Sequence, residues 1–214
     1  MNYSRRFIEL IELCNEYKQP IEIIKEFYQK YKNKINIHCN NDCVFISACR
    51  SGNLKLCQWL YSLDIPQSFN IHYCNNCTFR LACKSGNLEL CQWLYSLDIP
   101  QSFNIHIYND YTFREACWSG NLEVCKWLYS LDTPESFNIH SRNDYAFRIS
   151  KNISIKFWIL SVDKPENFNN NNEFKKYHTM YQKYNEYKNE NLTKLKNNRV
   201  FNRFTLMSIQ KYIF

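Results

Sequence analysis

Histidine and cysteine are the residues of this chain whose spacing could support chemistry, because both are common zinc ligands. Four histidines end the tripeptide Asn-Ile-His at one constant interval: His38, His72, His106 and His140. Zinc requires its ligands about 2 Å from one centre, whereas equivalent positions on packed helices are about 8–10 Å apart. We therefore expect each histidine to bond the linker backbone near it, without a shared metal.

Four other cysteines leave a second metal interpretation open. Cys39 and Cys43 lie in one polar turn, and Cys74 and Cys77 lie in the equivalent turn of the next repeat. Two such pairs could together provide four thiolates for one zinc ion. Because the separation of neighbouring repeats opposes this convergence, we expect no metal or cofactor, and zinc at these thiols is the alternative.

Six further cysteines follow the same interval and are predicted to be small buried hydrophobic residues: Cys49, Cys57, Cys83, Cys91, Cys117 and Cys125. A disulfide requires Cα atoms within about 7 Å, so equivalent cysteines of neighbouring repeats should not pair. The total of 11 cysteines is odd, and the first residues include glutamates that do not fit an export signal. These features predict a reducing, cytoplasmic location.

No arrangement of residues predicts catalysis. The sequence has no glycine-rich phosphate loop, no His-Glu-x-x-His motif, and no Ser or Cys nucleophile with a plausible base nearby. His178 is isolated in the C-terminal segment and is expected at the surface. We therefore expect this protein not to be an enzyme.

The element that must position these residues is a helix pair that recurs along the chain at the interval of the histidines. In the unit 104–137, Phe113, Ala116 and Cys117 share one face of a first helix, and Gly120 supplies the backbone conformation that ends this helix. The second helix is predicted to bury the stripe Leu122, Cys125, Leu128 and Tyr129. One pair cannot bury both of its helices, so neighbouring pairs must stack.

The run Ala-Cys-Trp-Ser-Gly-Asn-Leu-Glu-Val-Cys-Lys-Trp-Leu at 116–128 resembles the ankyrin repeat, whose pattern is Ala-Ala-x-x-Gly-His-Leu-Glu-Val-Val-x-Leu-Leu. Gly52, Gly86 and Gly120 occupy its turn glycine. The resemblance covers about residues 36–168 and implies an all-α, ankyrin-type helical solenoid of stacked helix–turn–helix repeats. The amino-acid sequence of the repeats is also similar to that of ankyrin-repeat proteins encoded by giant DNA viruses of amoebae.

Two departures from the ankyrin pattern limit what the resemblance implies. The Thr-Pro-Leu-His start of the first helix is replaced by Thr112-Phe113-Arg114 and its equivalents. The hairpin finger is about three residues shorter, and the linker after the second helix is about four residues longer. The family's finger contacts are therefore expected to carry over only in part.

The predicted organisation has three parts: an N-terminal helical cap at 1–35, four repeats at 36–69, 70–103, 104–137 and 138–168, and a basic helical tail at 169–214. The cap contains two apolar helical stripes separated by Pro20, namely Phe7-Leu10-Ile11-Cys14 and Ile23-Ile24-Phe27-Tyr28. The fourth repeat lacks the Ser-Gly-Asn turn, as a terminal repeat can, since one of its faces meets water.

The charge is concentrated at the C-terminus, where residues 173–214 contain 9 basic and 3 acidic residues. Such a tail could contact nucleic acid or acidic protein, or it could be a solvated helix face. Its aromatic stripe and a second apolar cluster are expected to cap the stack, with docking of a partner as the alternative: Phe174, Tyr177, Tyr181, Tyr184, then Val200, Phe201, Phe204, Met207 and Ile209. No apolar run reaches the roughly 20 residues that span a bilayer.

Positions that differ between repeats are the candidates for partner contact, because positions that maintain the fold can stay the same. The predicted partner-binding residues are Tyr73, Arg80, Lys84, Tyr108, Arg114, Trp118 and Arg142; aromatic residues and arginine often anchor interfaces. We expect a monomeric, non-catalytic protein-binding adaptor without membrane association. Nucleic-acid contact through the tail and an inert paralogue are the alternatives.

Overall fold

The computed structural model describes residues 5–16, 19–63, 69–97, 105–131, 137–163, 168 and 172–197. Within these ranges the regular structure is helical and no strand occurs, which confirms the all-α prediction. The α-helices are α1 Arg5–Asn15, α2 Ile21–Tyr31, α3 Cys39–Ser51, α4 Leu54–Tyr61, α5 Tyr73–Ser85, α6 Leu88–Ser96, α7 Ile107–Ser119, α8 Leu122–Ser130, α9 Ser141–Ile149, α10 Ile153–Val162 and α11 Asn172–Asn197. A 3₁₀ turn at Lys32–Lys34 follows α2.

The chain divides into two compact units, Met1–Val162 and Asp163–Phe214. The first unit contains α1 to α10, and the second contains α11. Within the predicted tail at 169–214, the structure describes one helix, α11, at Asn172–Asn197. The predicted apolar cluster from Val200 to Ile209 lies outside the described residues, as do the linkers around Pro66, Pro100 and Pro134.

The helices of the first unit form two series. The odd-numbered helices α1, α3, α5, α7 and α9 each contact the next member of their series, and we call them the first helices. The even-numbered helices α2 to α10 are the second helices, and α6, α8 and α10 pack in succession. Each described pair is also packed internally, as α3 with α4 and α7 with α8. Every first helix is therefore held by both its sequence neighbour and its equivalents.

The core follows the predicted periodicity. Four phenylalanines at equivalent positions of the repeats are fully or almost fully buried in the first helices: Phe45, Phe79, Phe113 and Phe147. Ala82 and Cys83, like their equivalents, are completely buried, because small side chains allow the second helix to approach closely. Two expectations were wrong. Tyr129 is largely exposed although it was expected in the stripe, and Ile23 of α2 is exposed although Ile24 is buried.

Tyr129 is 37% exposed, and its ring makes a contact between second helices. It meets Trp158 edge-to-face, with ring centroids 5.5 Å apart. Tyr61 and Trp93 repeat this geometry at 5.6 Å, as do Tyr95 and Trp127 at 5.7 Å. Such pairs stabilise packing by about 0.5–1.5 kcal/mol beyond the buried area. One tyrosine–tryptophan contact therefore recurs along the second helices.

The Ser-Gly-Asn turn joins the helices of a pair and also joins neighbouring pairs. Gly52 has φ +72° and closes α3 in the left-handed region that glycine tolerates. Asn87 caps α6 by accepting a hydrogen bond from the backbone N of Leu90, and its amide nitrogen donates to the carbonyl of Gly52 at 2.8 Å. Asn152 bonds Gly120 in the same way, so this link persists where the fourth repeat is shortened.

Candidate functional site

The first helices α3, α5, α7 and α9 each begin with a left-handed turn, and these turns position the candidate residues. In α7 the φ angles of Tyr108, Asn109 and Asp110 are 52°, 57° and 59°. Left-handed backbone is costly for most residues other than glycine, and Asn and Asp tolerate it best among the rest. The same three positions are left-handed in the other turns: Asn40, Asn41, Asp42, Cys74, Asn75, Asn76, Arg142, Asn143 and Asp144. The sequence correctly predicts polar turns here, but it does not reveal their handedness.

A buried carboxylate holds each of two such turns to the next repeat. Asp110 lies 2.7 Å from Nδ1 of His106 through one oxygen and accepts the backbone N–H of Asn138 through the other at 2.9 Å. Asp42 makes the equivalent contacts, at 2.6 Å to His38 and 2.7 Å to the backbone N of Asn70. A hydrogen bond to a charged group is stronger than a neutral one. These aspartates therefore connect consecutive repeats.

Each repeat histidine also has a side-chain partner that was not predicted from the sequence. Nδ1 of His140 lies 2.6 Å from Asp144 and Nδ1 of His72 lies 3.1 Å from Asn76, in both cases a side chain four residues ahead. Within the described part of the chain no group of three or more His, Cys, Asp or Glu side chains converges in a way that could hold a metal. The signal in the sequence was the recurrent His-x-x-x-Asp or His-x-x-x-Asn spacing, which the predictions did not use.

Arg114 has a structural role that its place among the partner-binding candidates did not predict. Only 4% of this residue is exposed. Its guanidinium donates to the carbonyls of Tyr108 at 2.8 Å and Asn109 at 3.0 Å, which are the first two residues of the left-handed turn. Burial, followed by the nearby charge of Arg142, lowers the pKa of Arg114. Arg114 thus belongs to the support of the turn and offers no surface to a partner.

Arginine and tyrosine side chains alternate across α5, α7 and α9. The guanidinium of Arg114 lies 5.3 Å from the ring centre of Tyr111 and 5.4 Å from that of Tyr145. Arg80 approaches Tyr111 at 5.2 Å, and Arg148 approaches Tyr145 at 5.9 Å. Each distance is within the range of a cation–π contact. Arg80, another candidate, is half-buried and also bonds the carbonyl of Asn75 in its own turn.

The remaining candidates present exposed surface. Tyr108 is 58% exposed, Trp118 43% and Tyr73 37%, and Arg142 is also exposed. The amide of Asn41 donates to the hydroxyl of Tyr73 at 2.8 Å, and the amide of Asn75 donates to that of Tyr108. Each bond runs from one left-handed turn to the next. The two tyrosines are therefore oriented by neighbouring repeats while their rings face solvent.

Lys84 and Trp118 form a mixed cationic and aromatic contact between α5 and α7. They occupy equivalent positions just before the turn glycine, where α3 has Arg50. The Lys84 ammonium lies 4.3 Å from the ring centre of Trp118 and 2.7 Å from the carboxylate of Glu115. Trp118 is thus in contact with Lys84 of the neighbouring first helix while 43% of it remains exposed.

Ten of the 11 cysteines fall into two groups, and Cys14 of α1 is a further buried cysteine. The four in the turns are free thiols, with Cys74 exposed and Cys43 and Cys77 half-buried, where burial raises the pKa of both thiols. The periodic cysteines pair within one repeat: the sulfurs of Cys49 and Cys57 lie 3.9 Å apart, and those of Cys117 and Cys125 lie 3.6 Å apart. The predictions considered pairing only between repeats and missed this contact across the glycine turn.

Burial keeps three of the periodic thiols protonated. It raises the pKa of Cys49, Cys83 and Cys117 well above the ordinary value, and the neighbouring thiol of the same repeat adds to the effect. A thiol, unlike a thiolate, is a poor nucleophile and a poor metal ligand. These cysteines therefore act as packing residues.

Comparison with known proteins provides no relative: no family model, no curated protein and no solved structure matches this chain. Among the described helices, none is both long enough and apolar enough to cross a membrane.

Proposed function

We propose that this chain is a non-catalytic protein-binding adaptor of the ankyrin-repeat type. Support comes from the constant interval between repeats, from the match of Ala116–Leu128 to the ankyrin pattern, and from the side-by-side packing of the helix pairs. Stacked repeats provide extended binding surfaces, because each repeat adds exposed side chains to a common face. We propose neither a catalysed reaction nor a cofactor for this chain.

One observation carries the binding role: several exposed positions of the first helices differ between repeats, whereas the buried phenylalanine of these helices is constant. The buried phenylalanine is the same in α3, α5, α7 and α9. The position two residues before the turn glycine changes from Arg50 to Lys84 to Trp118, and the first left-handed position is Tyr108 in α7 and Arg142 in α9. A binding site that discriminates between partners needs such differences. We propose Tyr73, Arg80, Lys84, Tyr108, Trp118 and Arg142 as the partner-contacting set.

The proposal also covers the cellular location of the protein. The amino-acid sequence of the repeats resembles that of ankyrin-repeat proteins of giant DNA viruses of amoebae, and the free cysteines suit a reducing compartment. We therefore propose a monomer that acts in the cytoplasm of a host cell on host or viral proteins.

Replacement of Trp118 tests the binding role. Trp118→Ala should leave the free energy of unfolding within about 0.5 kcal/mol, because the ring is substantially exposed. It should reduce the amount of cross-linked partner captured by the tagged protein in its native cell at least about tenfold, as expected for an aromatic anchor. The readout is quantitative mass spectrometry of the cross-linked proteins.

Tyr184→Ala is the matched control, since it removes another exposed aromatic ring, in the second unit. Capture that depends on neither ring, or on Tyr184 alone, would contradict the proposed surface.

A second candidate function is nucleic-acid contact by the tail. The observation that favours it is the row of exposed lysines on α11: Lys175, Lys176, Lys183 and Lys188. Counterion release would make such binding steeply salt-dependent. Replacement of the four lysines by glutamine should then weaken RNA binding in filter assays and reduce its salt dependence, while the same assay on Trp118→Ala should be unchanged.

A further inference from the structure

The exposed charge of four first helices is of one sign. On α3, α5, α7 and α9, the basic side chains that are exposed or half-buried are Arg50, Arg80, Lys84, Arg142 and Arg148. We call these side chains, with Tyr108 and Trp118, the basic face. A face of one sign attracts a ligand of the opposite sign and speeds its association.

The carboxylates of the same helices do not offset this charge at the surface. Asp42, Asp110 and Asp144 are buried and face histidine rings. Glu115 is half-buried and paired with Lys84. Among the described residues of these four helices there is therefore no exposed carboxylate. The aspartates of these helices are thus buried in the turns, whereas the cations of the basic face are exposed or half-buried.

The second helices lack this imbalance. On α4, α6 and α8 the charged residues are Lys55, Glu89, Glu123 and Lys126, two of each sign. Lys126 and Glu123 also form an ion pair of 3.1 Å. The positive charge is thus a property of the first helices and not of the repeats as a whole.

The order of side chains across the basic face sets the spacing that charged and aromatic residues of a bound ligand would need. Cations lie on α3, α5 and α9, and α7 between them presents Trp118 and Tyr108, both exposed. Packed helices repeat at about 8–10 Å. One turn of an extended polyproline II segment, three residues with a rise of about 3.1 Å each, covers about 9 Å and returns its side chains to the same side.

We propose that the basic face binds an extended acidic segment of a partner protein, with carboxylates at the first, fourth and tenth residues and an aromatic residue at the seventh. This inference rests on the proposed function, and it adds the chemistry of the partner. Each carboxylate meets the cations of one first helix, and the aromatic residue meets Trp118. A nucleic-acid strand fits less well, because its charges are closer together than the helices and α7 offers no exposed cation.

Fluorescence anisotropy with synthetic peptides tests the segment. The probe is a labelled ten-residue peptide with glutamate at positions 1, 4 and 10, tyrosine at position 7 and serine elsewhere. It should bind the full-length protein with an affinity that falls as salt increases. A peptide with glutamine in place of glutamate, and a peptide of the same composition with its three glutamates contiguous, should both bind at least about tenfold more weakly.

Two matched charge reversals locate the contact. Arg50→Glu with Arg148→Glu should weaken the probe about tenfold, because two weak surface attractions become repulsions. Lys55→Glu with Lys126→Glu makes the same change in net charge on the second helices and should weaken it less than about twofold. Circular dichroism and melting should show that both variants fold, since all four side chains lie at the surface.

Several results would overturn the inference: equal weakening by both reversals, equal binding of the glutamine peptide, or tighter binding of a uridine oligonucleotide of equal charge. Failure here is distinguishable from failure of the proposed function. Capture of a partner that depends on Trp118 without binding of the acidic probe would reject only the acidic segment, whereas capture independent of Trp118 would reject the adaptor role itself.

Discussion

At the scale of single residues, the aspartates at the ends of the left-handed turns carry more of the structure than their small number indicates. Asp110 uses one oxygen for His106 and the other for the backbone of the next repeat. Asn76 occupies the equivalent position in α5 and still meets His72, at a longer distance of 3.1 Å. The chain thus contains its own comparison between a charged and a neutral side chain at this position.

Replacement of Asp110 should separate the charge from the hydrogen bonds. Asp110→Ala should lower the free energy of unfolding by about 2–4 kcal/mol, because it leaves the His106 ring and the backbone N–H of Asn138 without this partner and places Ala in a left-handed conformation. Asp110→Asn should cost about 1 kcal/mol, since Asn tolerates that conformation and keeps acceptor capacity. Urea denaturation measures both.

The equivalent exchange in the other direction is the control. Asn76→Asp should be neutral or stabilising, because it recreates the pair seen between His106 and Asp110. If Asp110→Asn proved as costly as Asp110→Ala, the contribution of the hydrogen-bond geometry would be refuted and the charge alone would explain the loss.

At the scale of elements, the sequence was sufficient for the helix pairs and insufficient for what joins them. Apolar spacing identifies both helices of a repeat, and the glycine identifies their turn. The left-handed start of each first helix was not predictable from pattern, because a run such as Tyr108-Asn109-Asp110 contains no glycine to mark a positive φ. The burial of Arg114 was missed for the same reason: the carbonyls that bind it exist only once the turn is formed.

Two of the turn glycines should respond differently to alanine, although all three have positive φ. A Cβ on Gly120 would have its nearest neighbour 3.7 Å away, so Gly120→Ala should cost only the left-handed conformation, about 1–2 kcal/mol. A Cβ on Gly52 would lie 3.0 Å from Cβ of Ser85 in the next repeat. Gly52→Ala should therefore cost about 1–3 kcal/mol more, from overpacking.

Thermal and urea unfolding of the two variants give this difference directly. Removal of the side chain at position 85 should relieve the contact, so Ser85→Gly in the Gly52→Ala background should recover more stability than it does in the Gly120→Ala background. Equal costs for Gly52→Ala and Gly120→Ala would mean that the repeats are not packed closely at this turn.

At the scale of the whole molecule, the first unit has a row of buried thiols in its core, in addition to aliphatic and aromatic side chains. Period alone correctly placed the six repeated cysteines in the core. Their pairing within a repeat required the actual crossing of the two helices, which a one-dimensional pattern does not contain. Cys14 of α1 is also buried, and burial, followed by the neighbouring Cys57 and Cys43, raises its pKa to about 12.

These thiols should make the protein sensitive to alkali. In the unfolded chain Cys14 ionises at its ordinary pKa of 9.0, but in the folded protein its pKa is about 12. Between these values the unfolded state has lost the proton and the folded state keeps it, so the free energy of unfolding falls as pH rises. One such group contributes a slope of about 1.4 kcal/mol per pH unit, and Cys49, Cys83 and Cys117 act in the same direction.

Cys14→Ala isolates this contribution, because the other titrating groups are common to both proteins. The variant should lose stability at pH 7 from the smaller side chain, but its stability should decline less steeply with pH, by about 1.4 kcal/mol per pH unit between pH 9 and 12. Urea denaturation across this range, in the presence of a reductant, measures the slope. Parallel slopes for the two proteins would show that Cys14 ionises as readily in the folded core as in the unfolded chain. That result would contradict the raised pKa of this buried thiol.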